Sequence, residues 1–176
     1  MIAELGHFAL MLGLAFAILL SFLPSWGIKR QQEAGLMQMV QPLSFGLAFF
    51  VSLSFFLLIV SFIQDDFSVK YIAQHSNTEL PLLFKISATW GAHEGSLLLW
   101  AWILTLWIGL ASRYTTSLTI PFTAQMFSIL GLIAIGFLAF ILFTSNPFER
   151  LLDAPVQGRS LNPLLQDVGL AIHPPL

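Results

Sequence analysis

The chain has 176 residues, 57% of them hydrophobic and only 9% charged, with a net charge of −2. Soluble domains carry about 25% charged residues, so the composition excludes a water-soluble globular domain, and the lack of basic surplus excludes a nucleic-acid-binding surface. No Cys is present, which removes disulfides, thiolate metal sites, thiol nucleophiles and covalent haem attachment from this chain.

Leu5 to Leu23 is the first apolar run, with Glu4 before it and no Lys or Arg in front. A cleavable signal peptide has a positive start, a shorter apolar core and a small-residue cleavage site. None of these fits, so the run predicts a permanent first transmembrane helix over 5–23. Pro24-Ser25-Trp26-Gly27 is expected to end it, ahead of Lys29-Arg30. After a polar connection, the uncharged stretch 43–63 predicts the second spanning helix. Its Ser44, Ser52, Ser54 and Ser61 can hydrogen-bond to their own helix or to a neighbour. A long outward loop follows over 64–89, in which Phe67 to Ile72 alternates weakly like a short strand and Leu80 to Phe84 resembles an interfacial segment.

The third helix is predicted over 95–112, an uncharged run sufficient to cross a hydrocarbon core of about 30 Å. Arg113 to Pro121 is a short connection. The fourth helix is predicted over 122–143, with Gly131 and Gly136 as points of close approach. The outward tail, 144–176, is rich in proline, and within it Leu164, Leu165, Val168, Leu170 and Ile172 mark a segment lying in the interface. The chain stops at Leu176 directly after His-Pro-Pro, which reads as a sequence that continues. The expected fold is thus an all-α integral membrane protein: four transmembrane helices, a long outward loop and an outward C-terminal interfacial segment.

Orientation follows from the density of Lys and Arg near helix ends. The connections after helices one and three hold Lys29, Arg30 and Arg113, a denser set than Lys70, Lys85, Arg150 and Arg159 on the other side. The denser side is expected in the cytoplasm, with both termini, the long loop, Trp90, His93 and His173 facing outward.

The stretch most unusual for a membrane chain is Trp90-Gly91-Ala92-His93-Glu94-Gly95, where ionisable groups meet the start of an apolar run that continues through Trp100. Adjacent residues on a helix point about 100° apart, so His93 and Glu94 share no ligand face, whereas Trp90 and Glu94 do, as do His93, Leu97 and Trp100. Two readings stand: a proton or cofactor contact, or interfacial groups that set helix depth alongside tryptophan anchors. No His-x-x-x-His spacing supports a dedicated metal cage. A proton- or ion-coupled transport subunit using His93 and Glu94 as a relay would place further acidic or His residues inside helices two and four, where there are none. A non-catalytic membrane assembly subunit is a third class.

His173 stands apart. It follows an interfacial segment and precedes Pro174-Pro175, whose fixed backbone angles present the imidazole rigidly at a membrane surface. That suits an axial haem ligand, although a lone His near a helix start is more often structural. His7 and His75 have no partner at an informative spacing and read as structural.

Two longer strings, TWGAHEGSLLLW at Thr89 to Trp100 and LNPLLQD-x-GLAIHPPL at Leu161 to Leu176, resemble the cytochrome c-type biogenesis family called CcmF, the haem lyase subunit. QDDFSVKYIAQHSNTELP (Gln64 to Pro81) and FLAFILFTSNPF (Phe137 to Phe148) are similar to the same family's N-terminal portion, so the resemblance runs through essentially the whole chain. Val168 departs from it, standing where the family usually has Pro. The resemblance implies a multi-pass protein of the bacterial inner membrane, working on its periplasmic face, that ligates haem to apocytochrome c. It implies as partners haem, a membrane-anchored haem chaperone, and the apocytochrome with its thiol-handling presenting subunit. It maps one periplasmic axial ligand of haem iron onto His173. The second periplasmic His and the pair binding a b-type haem lie further along the family chain, outside this segment. It assigns no role to Trp90, Gly91, His93, Glu94, Gly95 or Trp100, and no catalytic residue within this segment.

Overall fold

In the computed structural model, residues 1–29, 38–115 and 118–173 are described. The helices, in chain order, are α1 (Ile2–Lys29), α2 (Val40–Ile63), α3 (Lys70–His75), α4 (Leu82–Ala88), α5 (His93–Tyr114) and α6 (Ile120–Thr144); a 3₁₀ turn (Pro163–Gln166) then precedes α7 (Val168–Ile172). Four of them, α1, α2, α5 and α6, are long and apolar enough to cross a membrane. They are apolar nearly all round, as a helix must be when one side meets protein and the other lipid. Leu10, Leu20, Leu47, Leu58, Phe127 and Leu138 are fully buried between helices, while Phe49, Trp107 and Phe143 point away from the bundle.

The helices alternate in direction. α1 packs along α2 and α6, α2 also along α5, and α5 more lightly on α6. Small residues let backbones approach: a side chain at Gly131 would run into the Ser21 backbone of α1 at 2.8–2.9 Å. Gly136, expected to do the same, faces open space instead. Polar atoms are used within helices and between them. Ser44, Ser52 and Ser61 donate to carbonyls four residues back, Ser25 pairs with Ser128 at 2.7 Å across α1 and α6, and the Trp102 indole donates to Ser52 at 2.8 Å.

Two expectations change. Pro24 does not end α1, which continues to Lys29. Packing against α6 on both sides of the proline, through Ser21 and Ser25, holds this last part in place, and apolar surroundings penalise unwinding that would expose backbone groups. Phe67 to Ile72 forms no strand. Val69 makes a single antiparallel bridge to Arg150 and helix α3 starts at the next residue. Leu80 to Phe84 leads into helix α4, with Leu82 and Leu83 exposed.

Because the helices alternate, the N-terminus of α1, the loop after α2, the start of α5 and the tail after α6 meet at one end. Lys70 N–H donates to Glu149 O at 2.9 Å, Leu151 N–H to Ser68 O at 2.8 Å, and Arg159 N–H to Ala73 O at 2.7 Å, so loop and tail are joined backbone to backbone. Arg150 binds Glu4 of α1 at 2.5 Å and Asp66 at 3.1 Å. Lys85, almost fully buried, pairs with Asp65 at 2.5 Å. The polar connection between α1 and α2 and the Pro174-Pro175 pair lie outside the described residues.

Candidate functional site

The site is built where α4 hands over to α5. α4 ends in a tight turn: Thr89, Trp90 and Gly91 donate to Ile86, Ser87 and Ala88 carbonyls at 3.1–3.2 Å, and Ala92 is extended, so α5 begins only at His93. Trp90 is therefore in the turn and not on α5, and it does not share a helical face with Glu94. The i, i+4 expectation assumed one continuous helix, which the extended Ala92 interrupts.

Tyr71, from α3, holds this turn. Its hydroxyl lies 3.1 Å from both the Ala88 and Thr89 carbonyls, to which it donates, and it accepts the Ala92 N–H at 3.3 Å. Burial pushes the Tyr71 hydroxyl well above its ordinary pKa, with the nearby Glu94 carboxylate adding to the shift, so the donor stays protonated. Gly95 is required at the same place. A side chain there would overlap the Thr89 carbonyl and come within 2.6 Å of the Tyr71 oxygen.

Trp90 points out of the turn along the bundle end. Its ring stacks over Phe55 of α2 (6.4 Å, 18°), which itself stacks on Trp102 of α5 (4.6 Å, 12°). Its indole N–H donates to the Ala171 carbonyl of α7 at 2.8 Å. Gly91 completes the seat, since a side chain there would press on Leu165 Cδ1 at 3.3 Å. A cleft of about 110 Å³ is left between Ser87, Trp90, Gly91, Leu165, Leu170 and Ala171.

α7 carries His173 at its C-terminal end. Asp167 caps its start by accepting the Leu170 N–H at 3.1 Å, and Val168 takes the first helical position, where proline is also well tolerated. His173 continues the helical backbone, donating its N–H to Gly169 O at 3.1 Å, and is exposed. Val168, Leu170 and Ile172 are each about half exposed beside it.

The other singled-out residues separate. His93 Nδ1 lies 2.7 Å from the buried Ser145 hydroxyl and its ring stands edge-on to Phe140, which ties the start of α5 to the end of α6. Glu94 is half-buried in the first turn of α5, and among the described residues nothing hydrogen-bonds its carboxylate. Trp100 faces outward, lining a shallow apolar groove of about 410 Å³ with Trp107 and Phe137. Among the described residues, no group of three His, Asp or Glu is placed to hold a metal ion. Reading the sequence missed Tyr71 and Ser145. The only signal for Tyr71 was that an invited helix start carried a glycine, Gly95, with no turn of its own to serve.

A family model described as "Cytochrome C assembly protein" matches residues 90–176, beginning at Trp90 and including His173. CcmF of Haemophilus influenzae is 48% identical over 177 residues, covering all of this chain and 27% of that protein. CcmF of Escherichia coli is 44% identical, again over all of this chain and 27% of its own length. The whole chain resembles the CcmF cytochrome c-type biogenesis proteins. A solved structure named "Cytochrome c Heme Lyase CcmF" superposes with a TM-score of 0.80 at 25% identity, over 98% of this chain and 27% of that one. The chain thus spans about a quarter of the length of these CcmF relatives, and its four apolar helices make it a multi-pass membrane segment.

Proposed function

We propose that this chain is the N-terminal membrane region of a cytochrome c haem lyase, and that His173 supplies one axial ligand to the iron of substrate haem. The observation that carries the reading is His173 itself. An exposed imidazole ends a capped helix beside half-exposed Val168, Leu170 and Ile172, within the span matched to the cytochrome c assembly family. An axial ligand next to apolar surface suits a porphyrin, whose iron takes an imidazole nitrogen and whose faces are apolar. The reaction is addition of Cys S–H across haem vinyl groups to form thioether bonds. This chain has no Cys, so the thiols belong to apocytochrome c. Its own part is to bind and orient haem, and a b-type haem would be held by residues outside it. The end bearing His173 faces the periplasm from the inner membrane, where a membrane-anchored haem chaperone and a thiol-handling subunit with the apocytochrome dock. The sparse Lys and Arg at this end support that orientation. A proton-relay reading gains no support, since α2 and α6 contain no ionisable residue.

The test is His173→Ala in the complete protein that contains this chain. Haem absorbance of the purified protein should fall or shift to a high-spin form, and added imidazole should restore the low-spin spectrum. Unchanged spectrum and normal cytochrome c maturation would overturn the assignment. Reporter fusions after Gln74 and Gly158 should read periplasm and one after Arg113 cytoplasm; the reverse pattern would overturn the orientation.

A further inference from the structure

We infer that Trp90 is a positioning residue for His173, acting by supplying the hydrogen-bond donor that the end of α7 lacks. The inference rests on the reading of His173 as a haem ligand.

The need for a donor is written in the chain. Helical carbonyls are satisfied by N–H groups three or four residues on. For Ala171 those positions are Pro174 and Pro175, and neither has an N–H. Ala171 is 6% exposed, so water does not readily replace the missing donor. A buried carbonyl without a partner is unfavourable, and native structures almost always provide one. The Trp90 indole N–H does so at 2.8 Å, from 81 residues away in the chain.

The donor is also well fixed. Trp90 sits in the turn that Tyr71 pins and Gly95 makes room for, and its ring is stacked on Phe55. Phe55 in turn stacks on Trp102, whose indole donates to Ser52. The anchor therefore reaches from the α2–α5 core to a carbonyl two residues before His173. α7 is only five residues long and touches α4 but no spanning helix closely, so propensity alone would not hold it in place. Trp90 thereby couples the Trp-Gly-Ala-His-Glu-Gly motif to the His-Pro-Pro motif: the prolines that stiffen the approach to the ligand create the vacancy that the tryptophan fills.

The experiment uses the complete protein, with Trp90→Phe, which keeps an apolar ring but removes the donor. A second variant places 3-benzothienylalanine at 90, which matches the shape of indole and replaces N–H with sulfur. Hydrogen exchange of 163–173 is measured without haem, and the haem spectrum is measured alongside His173→Ala. Loss of one such hydrogen bond is expected to raise amide exchange in 163–173 roughly tenfold, with exchange in α2 and α5 unchanged. Haem should become partly high-spin and return to low-spin with imidazole. Should Trp90→Phe unfold the protein, the isosteric variant decides. Wild-type exchange and spectrum in the isosteric variant, with His173→Ala still defective, would overturn the positioning role and leave the ligand assignment intact. Raised exchange in 163–173 with an unperturbed spectrum in His173→Ala would overturn the ligand assignment, and with it the purpose inferred for the anchor.

Discussion

Tyr71 and Gly95 occupy one shared space: a methyl group on Gly95 would stand 2.6 Å from the Tyr71 hydroxyl oxygen and overlap the Thr89 carbonyl to which that hydroxyl donates. The relation explains why an apolar helix begins with a glycine in its first turn. The turn before α5 folds back over the start of the helix, and only a residue without a side chain leaves room for both the backbone and the phenol.

Gly95→Ala should therefore be strongly destabilising, since the atoms it meets first are backbone and cannot swing away. About 3 kcal/mol is expected, at the upper end of ordinary single-residue effects. Tyr71→Phe removes the donor without adding bulk, and should lower stability by about 1–2 kcal/mol. Thermal unfolding in detergent checks both. Equal effects of the two variants would mean that the space at Gly95 is softer than the geometry says.

Glu94 lies half-buried in the first turn of α5, where a negative charge is favoured by the helix dipole. Glu94→Gln should lose only about 0.5 kcal/mol and leave protein level and cytochrome c maturation near normal. Glu94→Leu should lower the protein level more. A proton relay makes the opposite forecast, because Gln and Leu are equally unable to titrate. Maturation at matched protein levels in the two variants separates these.

The Arg150 clamp ties the tail to the loop and to α1, and part of it depends on pH. Burial by itself would raise the Asp66 carboxyl, but hydrogen bonds from Ser68 and Arg150 outweigh it and hold Asp66 below the usual carboxylate range. A depressed folded pKa stabilises the fold fully above the ordinary value and is lost as pH falls through it. Amide exchange in 148–151 should thus be flat from pH 8 to 5, allowing for intrinsic exchange, and should rise below about pH 4. Arg150→Gln should raise exchange at neutral pH and flatten the acid step. An undiminished step in that variant would place its origin elsewhere.

Much of the architecture was legible without coordinates. Four uncharged runs long enough to cross a bilayer dictate four helices, and the three connections between successive spans dictate their alternation, which gathers the loop of Gln64 to Thr89 and the tail of Ser145 to His173 at one end. Bilayer thickness and the need to satisfy every backbone group in lipid leave little choice. Helix ends were less legible: Pro24 signals a stop by local rules, yet α1 passes through it because the close approach of Gly131 to Ser21 before the proline and the Ser25–Ser128 bond after it hold both sides to α6.

The chemistry of the site divides the same way. His-Pro-Pro announces, from sequence alone, a stiff approach to an imidazole and two residues that cannot donate hydrogen bonds. What answers that deficiency is decided only by tertiary structure. Local periodicity reaches about four residues, whereas the Trp90 to Ala171 bond joins positions 81 apart, and Tyr71 reaches Thr89 across 18. The helical wheel set Trp90 beside Glu94 because it assumed one unbroken helix. Folding broke that helix at Ala92, turned the indole toward α7 instead, and so joined that tryptophan to the carbonyl two residues before His173.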